Sequence, residues 1–390
     1  MHLVDTTLFH SPTSGGVRRY LSAKHAWLKG REGWEHTLLV PGESTRLVRG
    51  DVSTLAGIRV HGTFNYRLPL NPLRWSRMLE ALEPDLVEAG DAFHPAWCAA
   101  GLGARHPVPV VAFFHSHLPR LVASRCGALT GWAARRYLRM IYERFDLVTA
   151  PSRVMVEYLR ELGLSRVALQ VLGVDTEIFS PTRREEGLRE ELGLPQDTRL
   201  LVYAGRFSGE KNIPVLIDAM RRLGRPYHLL LIGGDGHGRP ADHVTTLPYR
   251  RESTQLAAAL ASADAFVHAG ALETFGLVVV EAMACGRPVV GVNAGAVPEL
   301  VDGEVGVLAR EASGAVFAQA ISDLFDRDLV ALGQAARARV LAKFTWQRAF
   351  QQQLATYSAL AGVASQASGL EGVAAYPPAR LRHGQPFSIR

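Results

Sequence analysis

The sequence predicts an α/β protein made of two doubly wound domains, each a mainly parallel sheet with helices on both faces. Three observations carry that expectation. Short aliphatic runs alternate with longer helical patterns along the whole chain. Several of the runs are continuously apolar, as in parallel strands covered on both faces. The theme occurs twice within 390 residues, more than one hydrophobic core normally serves.

In the first half the strand candidates are residues 2–5, 36–40, 85–88, 108–114, 146–150 and 167–172. In the second half they are 200–204, 228–232, 265–268 and 288–292, with helical patterns at 214–223, 254–261 and 277–284 between them. A strand ending at Gly173, then the charged run Arg183-Arg184-Glu185-Glu186 and the breakers Gly193 and Pro195, sets the boundary. The domains are therefore 1–172 and 173–345. A further helix over 346–362 carries Phe350, Leu354 and Tyr357 at helical spacing. Residues 363–390 mix Ala, Ser, Gly and Pro without periodicity and read as a flexible tail.

Hydrophobic residues make up 47% and charged residues 21%, which excludes a disordered chain. The net charge of +6 suits contact with anions without selecting which. Three cysteines, Cys98, Cys126 and Cys285, show no CxxC spacing and read as buried thiols in a reducing compartment. The N-terminal stretch lacks a basic region followed by an apolar one, and no apolar run reaches the ~20 residues of a spanning helix. The expectation is a cytoplasmic protein whose membrane contact, if any, is peripheral.

Four segments carry chemistry. Glu273-Thr-Phe-Gly-Leu-Val-Val-Val-Glu281 follows a strand and opens a helix at about Phe275. Free N–H groups and the helix dipole there make a seat for a diphosphate near Phe275, Gly276 and Leu277. Glu273 would accept sugar hydroxyls, and Glu281, a little over two turns on, would share its face and reach a ribose. The plain alternative is a capping Glu273 and a solvated Glu281. Gly205-Arg206-Phe-Ser-Gly-Glu-Lys211-Asn212 occupies the C-terminal end of a strand, where α/β sheets bind ligands. Arg206 offers a fork and Lys211 a point charge to phosphate oxygens. Gly15 and Gly16 sit between the first strand and a helix, a phosphate-compatible turn. A buried-looking strand ends in Phe113-Phe114-His115-Ser116-His117, with either histidine a candidate. The glycine turn 232–236 is weaker. Asp326-Arg-Asp328 lies between helices rather than after a strand, so no metal is expected.

Together these motifs resemble the retaining glycosyltransferases of family four (glycosyl transferases group 1), over about residues 1–361. The resemblance implies the GT-B fold, two Rossmann-like domains facing across a cleft, with 346–360 crossing back onto the N-terminal domain. It assigns Glu273 to the donor sugar, Glu281 to the ribose, Arg206 and Lys211 to the phosphates, Gly15 and Gly16 to the N-terminal loop, and His115 to the strand end. Phe113 through Leu121 is similar to members that mannosylate phosphatidylinositol or other glycolipids.

The reading is a retaining, metal-independent hexosyltransferase using a nucleotide sugar, with GDP-mannose as donor and a glycolipid hydroxyl as acceptor. It expects no cofactor and no nucleic acid partner. An NAD-dependent oxidoreductase and a non-catalytic sugar-nucleotide or lipid-binding module are the alternatives. Residues 119–145 interleave Arg120, Arg125, Arg135, Arg136, Arg139 and Arg144 with Leu121, Trp132, Tyr137, Leu138, Met140, Ile141 and Tyr142. Such a segment suits an anionic leaflet or, equally, an ordinary helix with a basic outer face.

Overall fold

Fourteen of the sixteen strands among the described residues form two seven-stranded sheets, each the centre of its own unit. The computed structural model describes residues 1–11, 15–60, 66–234, 238–250 and 252–362. Thr13, Ser14, Asp235, Gly236, and residues 363–390 lie outside them.

Among the described residues the first unit comprises Met1–Ala150, Val156–Gln170 and 350–362. Its strands are β1 (His2–Thr6), β2 (Glu35–Gly42) and β3 (Val52–Ala56), the antiparallel pair β4 (Ile58–Arg59) and β5 (Arg67–Leu68), then β6 (Leu86–Ala89), β7 (Val110–Phe113), β8 (Leu147–Ala150) and β9 (Val167–Leu169). The sheet runs β3-β2-β1-β6-β7-β8-β9 with every pairing parallel. All five residues of β1 are buried, including His2, Asp5 and Thr6, so this central strand carries polar groups inside the unit.

The second unit comprises Pro151–Met155 and Val171–Ala349. Here β10 (Arg199–Ala204), β11 (Tyr227–Gly234), β12 (Gly238–Ala241), β13 (Val244–Pro248), β14 (Ala265–His268), β15 (Val289–Val292) and β16 (Gly306–Ala309) run in the order β12-β13-β11-β10-β14-β15-β16. Only the edge strand β12 is antiparallel. In both sheets the first strand stands where the order reverses, between β2 and β6 and between β11 and β14. That switch point opens a crevice at the C-terminal strand ends.

The chain passes between units more often than a single cut near 172 implies, because Pro151–Met155 belongs with the second unit. Val174 and Trp346 lie side by side: Val174 N–H donates to Phe344 at 2.9 Å and Trp346 N–H to Val174 at 3.4 Å. The helix Trp346–Leu360 then lays Leu354 and Tyr357 among Leu3, Leu28, Leu86, Val111 and Leu147 of the first unit.

Three expectations change. Strands β3, β4, β5, β12, β13 and β16 had no sequence counterpart; β3 and β13 mix Ser or Thr into their apolar residues, and β16 opens on glycine. The segment 119–145 is two helices, Leu118–Cys126 and Ala128–Tyr142, meeting at Gly127. Cys126 is exposed, unlike buried Cys98 and Cys285.

Candidate active site

In the second unit the chemistry gathers where neighbouring strands β10 and β14 reach their C-terminal ends. Arg206 is exposed just past β10, and its carbonyl accepts the Tyr203 hydroxyl at 3.1 Å. The loop tightens into the 3-10 turn Gly209–Lys211, and Asn212 starts the helix Ile213–Leu223 from a left-handed backbone with φ 53°. The Asn212 amide donates to the Ala269 carbonyl at 2.9 Å, fastening the loop to the chain that leaves β14.

That anchor sets Lys211 beside Glu273. The Lys211 ammonium bonds Glu273 Oε1, with 16% and 13% of the two side chains exposed. His268, the last residue of β14, places Nε2 2.9 Å from the same oxygen. No hydrogen bond to Oε2 comes from the described residues. Burial pushes the Glu273 carboxyl up, but the Lys211 ammonium and the His268 ring outweigh it and hold the group well below the usual carboxylate range. The Glu273 carbonyl accepts the Ala296 N–H at 3.0 Å, which fixes the backbone as well. The result is an ionised carboxylate with one oxygen approached by both Lys211 and His268.

The helix after it is Leu277–Ala284, matching the helical pattern over 277–284 rather than an opening at about Phe275, and Gly276 caps it with φ 97°, a backbone that favours glycine. Glu273 therefore stands outside the helix and shares no helical face with Glu281, contrary to the spacing argument. Phe275 is buried edge-on against Phe344, centroids 5.9 Å apart, so only its backbone can meet a ligand. Leu277 is half-buried in the first turn. Glu281 is 2% exposed rather than solvated. Burial, and then the Glu281 charge, push the neighbouring Cys285 thiol up to about 12.

In the first unit Gly15 and Gly16 open the helix Gly16–Leu28, which carries Tyr20 and Lys24 inward. Lys24 is wholly buried, 2.9 Å from Asp5 Oδ1 on β1 and 2.7 Å from Glu88 Oε2 on β6. Tyr20 donates to Glu88 at 2.9 Å, and Gln353 and Tyr357 of the terminal helix donate to the same carboxylate. His115 stacks on Phe113 with centroids 4.0 Å apart and lies 5.1 Å from the Tyr20 ring. Burial, with the Lys24 charge second, lowers its pKa to about 3, so the imidazole is neutral near pH 7. His117 does a different job. It is buried at the start of Leu118–Cys126, accepts the Arg120 N–H at 3.4 Å as the N-cap, and packs 4.1 Å from the Tyr158 ring.

Asp328 caps the helix Leu329–Lys343, accepting the Val330 and Ala331 N–H groups at 2.9 Å each. Among the described residues no group of three or more His, Cys, Asp or Glu could hold a metal ion. None of their helices is long and apolar enough to cross a membrane. On Ala128–Tyr142 the outer face exposes Leu129, Trp132 and Met140 together with Arg135, Arg136 and Arg139. Leu138, Ile141 and Tyr142 are buried, so the apolar set read from sequence divides between core and surface.

The structure thus joins Lys211 to Glu273, sets Arg206 in the same loop, and brings the Gly15–Gly16 helix to His115 through Tyr20. Sequence reasoning passed over His268 and Asn212. The signal for His268 was available: a polar residue closing an apolar strand, the pattern that drew attention to His115.

Comparison with known proteins gives the chain's family and fold. The profile described as Glycosyltransferase Family 4 matches residues 14–178, and that of Glycosyl transferases group 1 matches residues 198–327. A GDP-mannose-dependent alpha-(1-6)-phosphatidylinositol dimannoside mannosyltransferase of Mycobacterium tuberculosis is 31% identical over 378 residues, 93% of this chain and 97% of that protein. A D-inositol 3-phosphate glycosyltransferase of Mycolicibacterium smegmatis is 33% identical over 312 residues, 73% of this chain and 68% of that one. The sucrose-phosphate synthase structure from Thermosynechococcus elongatus superposes with a TM-score of 0.77 at 22% identity, covering 93% of this chain and all of that one, and shows the shared fold. The chain belongs to glycosyltransferase family four, glycosyl transferases group 1, and has its GT-B fold.

Proposed function

We propose that the protein transfers a mannosyl unit from GDP-mannose to a glycolipid hydroxyl, with retention of anomeric configuration and without a metal. The observation that carries this is Glu273, ionised and held on one oxygen by Lys211 and His268, beside the Arg206 loop and ahead of the Gly276-capped helix. Donor and acceptor follow the Mycobacterium tuberculosis relative matched over nearly the whole length of both proteins.

In this reading Arg206, Lys211 and the N–H groups around Gly276 and Leu277 hold the diphosphate. Glu273 Oε2 accepts sugar hydroxyls and Glu281 the ribose. Gly15 and Gly16 supply backbone donors from the first unit. His115, neutral, hydrogen-bonds the sugar rather than acting as a cation. The bond from the anomeric carbon to the diphosphate breaks as the acceptor oxygen bonds that carbon on the same face. The acceptor proton passes to a leaving phosphate oxygen. Positioned cations and dipoles then supply most of the rate enhancement by stabilising the charge that develops on the diphosphate.

The protein would work in the cytoplasm, with Ala128–Tyr142 resting on an anionic membrane. A panel of nucleotide sugars, read by released nucleotide with and without a phosphatidylinositol mannoside and EDTA, tests it. GDP release from GDP-mannose that rises with the lipid and survives EDTA is expected. Preference for another donor would overturn the donor assignment. Activity lost to EDTA and restored by magnesium or manganese would overturn metal independence. Nucleotide binding without turnover of any donor would point to the non-catalytic module.

A further inference from the structure

His268 poses a question of cost. Its side chain is 1% exposed, and among the described residues neither Nδ1 nor Nε2 meets hydrogen-bond geometry with a partner, although Nε2 comes within 2.9 Å of Glu273 Oε1. Burying a polar nitrogen without a partner is unfavourable, and an apolar residue would fill an interior strand end more cheaply. The ring lies nearly parallel to Tyr203 and Phe266, tilted 11° and 12°, with centroids 6.0 and 6.3 Å away. Those aromatics fix its plane. Gly270 closes over it, since a Cβ there would come within 2.9 Å of Nε2. What remains is one polar contact, Nε2 at 2.9 Å from Glu273 Oε1.

A carboxylate only accepts, so Nε2 is the ring nitrogen that donates toward Glu273. Lys211 approaches the same oxygen. A lysine alone is a mobile point charge on a flexible stem, whereas a clamped imidazole gives direction. We infer that His268 is a positioning residue that, with Lys211, pins Oε1 of Glu273 and so aims Oε2 at the hydroxyls of the donor sugar. This rests on the reading of Glu273 as the sugar-binding carboxylate. It adds that selectivity for the glycosyl group, and not for the nucleotide, depends on a residue that touches neither.

The test is a double-mutant cycle on the full chain with GDP-mannose as donor. His268→Ala should lower kcat roughly 10- to 100-fold, the range for one charge-assisted hydrogen bond. The Kd for GDP alone, measured by calorimetry, should stay within about twofold, which also reports that the second unit is folded. His268→Gln, whose amide N–H can take the place of Nε2–H, should recover part of the rate. In the Glu273→Gln background, His268→Ala should cost less than about twofold further. An equal loss in both backgrounds, or weakened GDP binding, would show that the ring serves the fold and would overturn the inference. So would an unaffected His268→Ala. A harmless Glu273→Gln would sink the sugar-site reading itself and this inference with it. A damaging Glu273→Gln with an additive His268→Ala would sink the inference alone.

Discussion

Each unit sets a lysine against a glutamate near the middle of its sheet, and the two lysines are treated in opposite ways. Lys24 has no exposed side-chain surface; Asp5 and Glu88 flank it, the Tyr20 and Tyr357 rings lie against its ammonium, and Gln353 donates to Glu88. Lys211 keeps 16% of its side chain at the surface and reaches Glu273 across an open strand end. The first arrangement engages three separate elements and the returning terminal helix, so its charges are spent on holding the unit together. The second is made by one loop and one strand end, and the exposed Arg206 lies in the same loop. Similar residue types serve cohesion where they are sealed and ligand binding where they are open.

The sharpest way to break that comparison is to replace each lysine by methionine. Lys24→Met leaves two buried carboxylates without their cation and should cost about 3–5 kcal/mol of stability, the range for breaking a buried pair. Lys211→Met should cost clearly less, because Glu273 retains His268 and its partial exposure to water. Urea unfolding of the two variants decides the order, and a larger loss for Lys211 would reverse the assignment.

Next in size is the donor. Arg206→Ala and Lys211→Ala should each weaken use of the nucleotide sugar by about 1.5–3 kcal/mol in kcat/KM, as expected for hydrogen bonds to charged groups. Wild-type turnover in both variants would remove the diphosphate from this loop. Glu273→Gln should lower kcat more than Glu281→Gln does, since only the first carboxylate meets the reacting sugar. The opposite ranking would exchange their roles. The pH dependence follows with its sign. Glu273 titrates lower in the folded protein than in the unfolded chain. Its stabilising contribution is therefore complete above the ordinary glutamate value of about 4.3 and is lost only as pH falls through the depressed folded value. Donor kcat/KM should show no acid limb from this group between about pH 5 and 8. A limb near pH 5 that Glu273→Gln abolishes would show the carboxylate is not held down.

Both sheets were legible because parallel strands covered on two faces write themselves as largely apolar runs, as in 200–204 and 265–267. Edge strands such as β3 and β16 escaped because an edge needs neither length nor continuous apolarity. Arg206, Lys211 and Glu273 could be singled out because strand-end loops that carry charge are rarely required by the core. The angle between Glu273 and Glu281 could not, because a left-handed Gly276 between them breaks the helical register on which the spacing argument relied. The sealed cluster was equally hidden. Asp5, Lys24, Glu88 and Gln353 are far apart in sequence, and nothing in a lysine at position 24 announces that a helix more than three hundred residues later will cover it.

Exposed charges extend the comparison to its open limit, and there the effect per residue should be smallest. Arg135, Arg136 and Arg139 stand on the outer face of Ala128–Tyr142 among Leu129 at 77% and Trp132 at 57% exposure. Water and salt screen such groups, so they add little to folding. Near an anionic leaflet each arginine contributes about 1 kcal/mol, and the exposed tryptophan can settle at the headgroup level. The three are not equivalent. Arg139 already pairs with Glu143 at 2.7 Å, whereas Arg136 lies over the Trp132 ring at 5.2 Å and leaves its charge available. Arg136→Ala should therefore reduce co-sedimentation with anionic vesicles about fivefold, and Arg139→Ala less. Reversing all three charges should abolish binding while leaving donor hydrolysis intact, and added salt should release the wild type. If the wild type ignores anionic vesicles even at low salt, the arginines belong to an ordinary solvated helix and the acceptor is a soluble one.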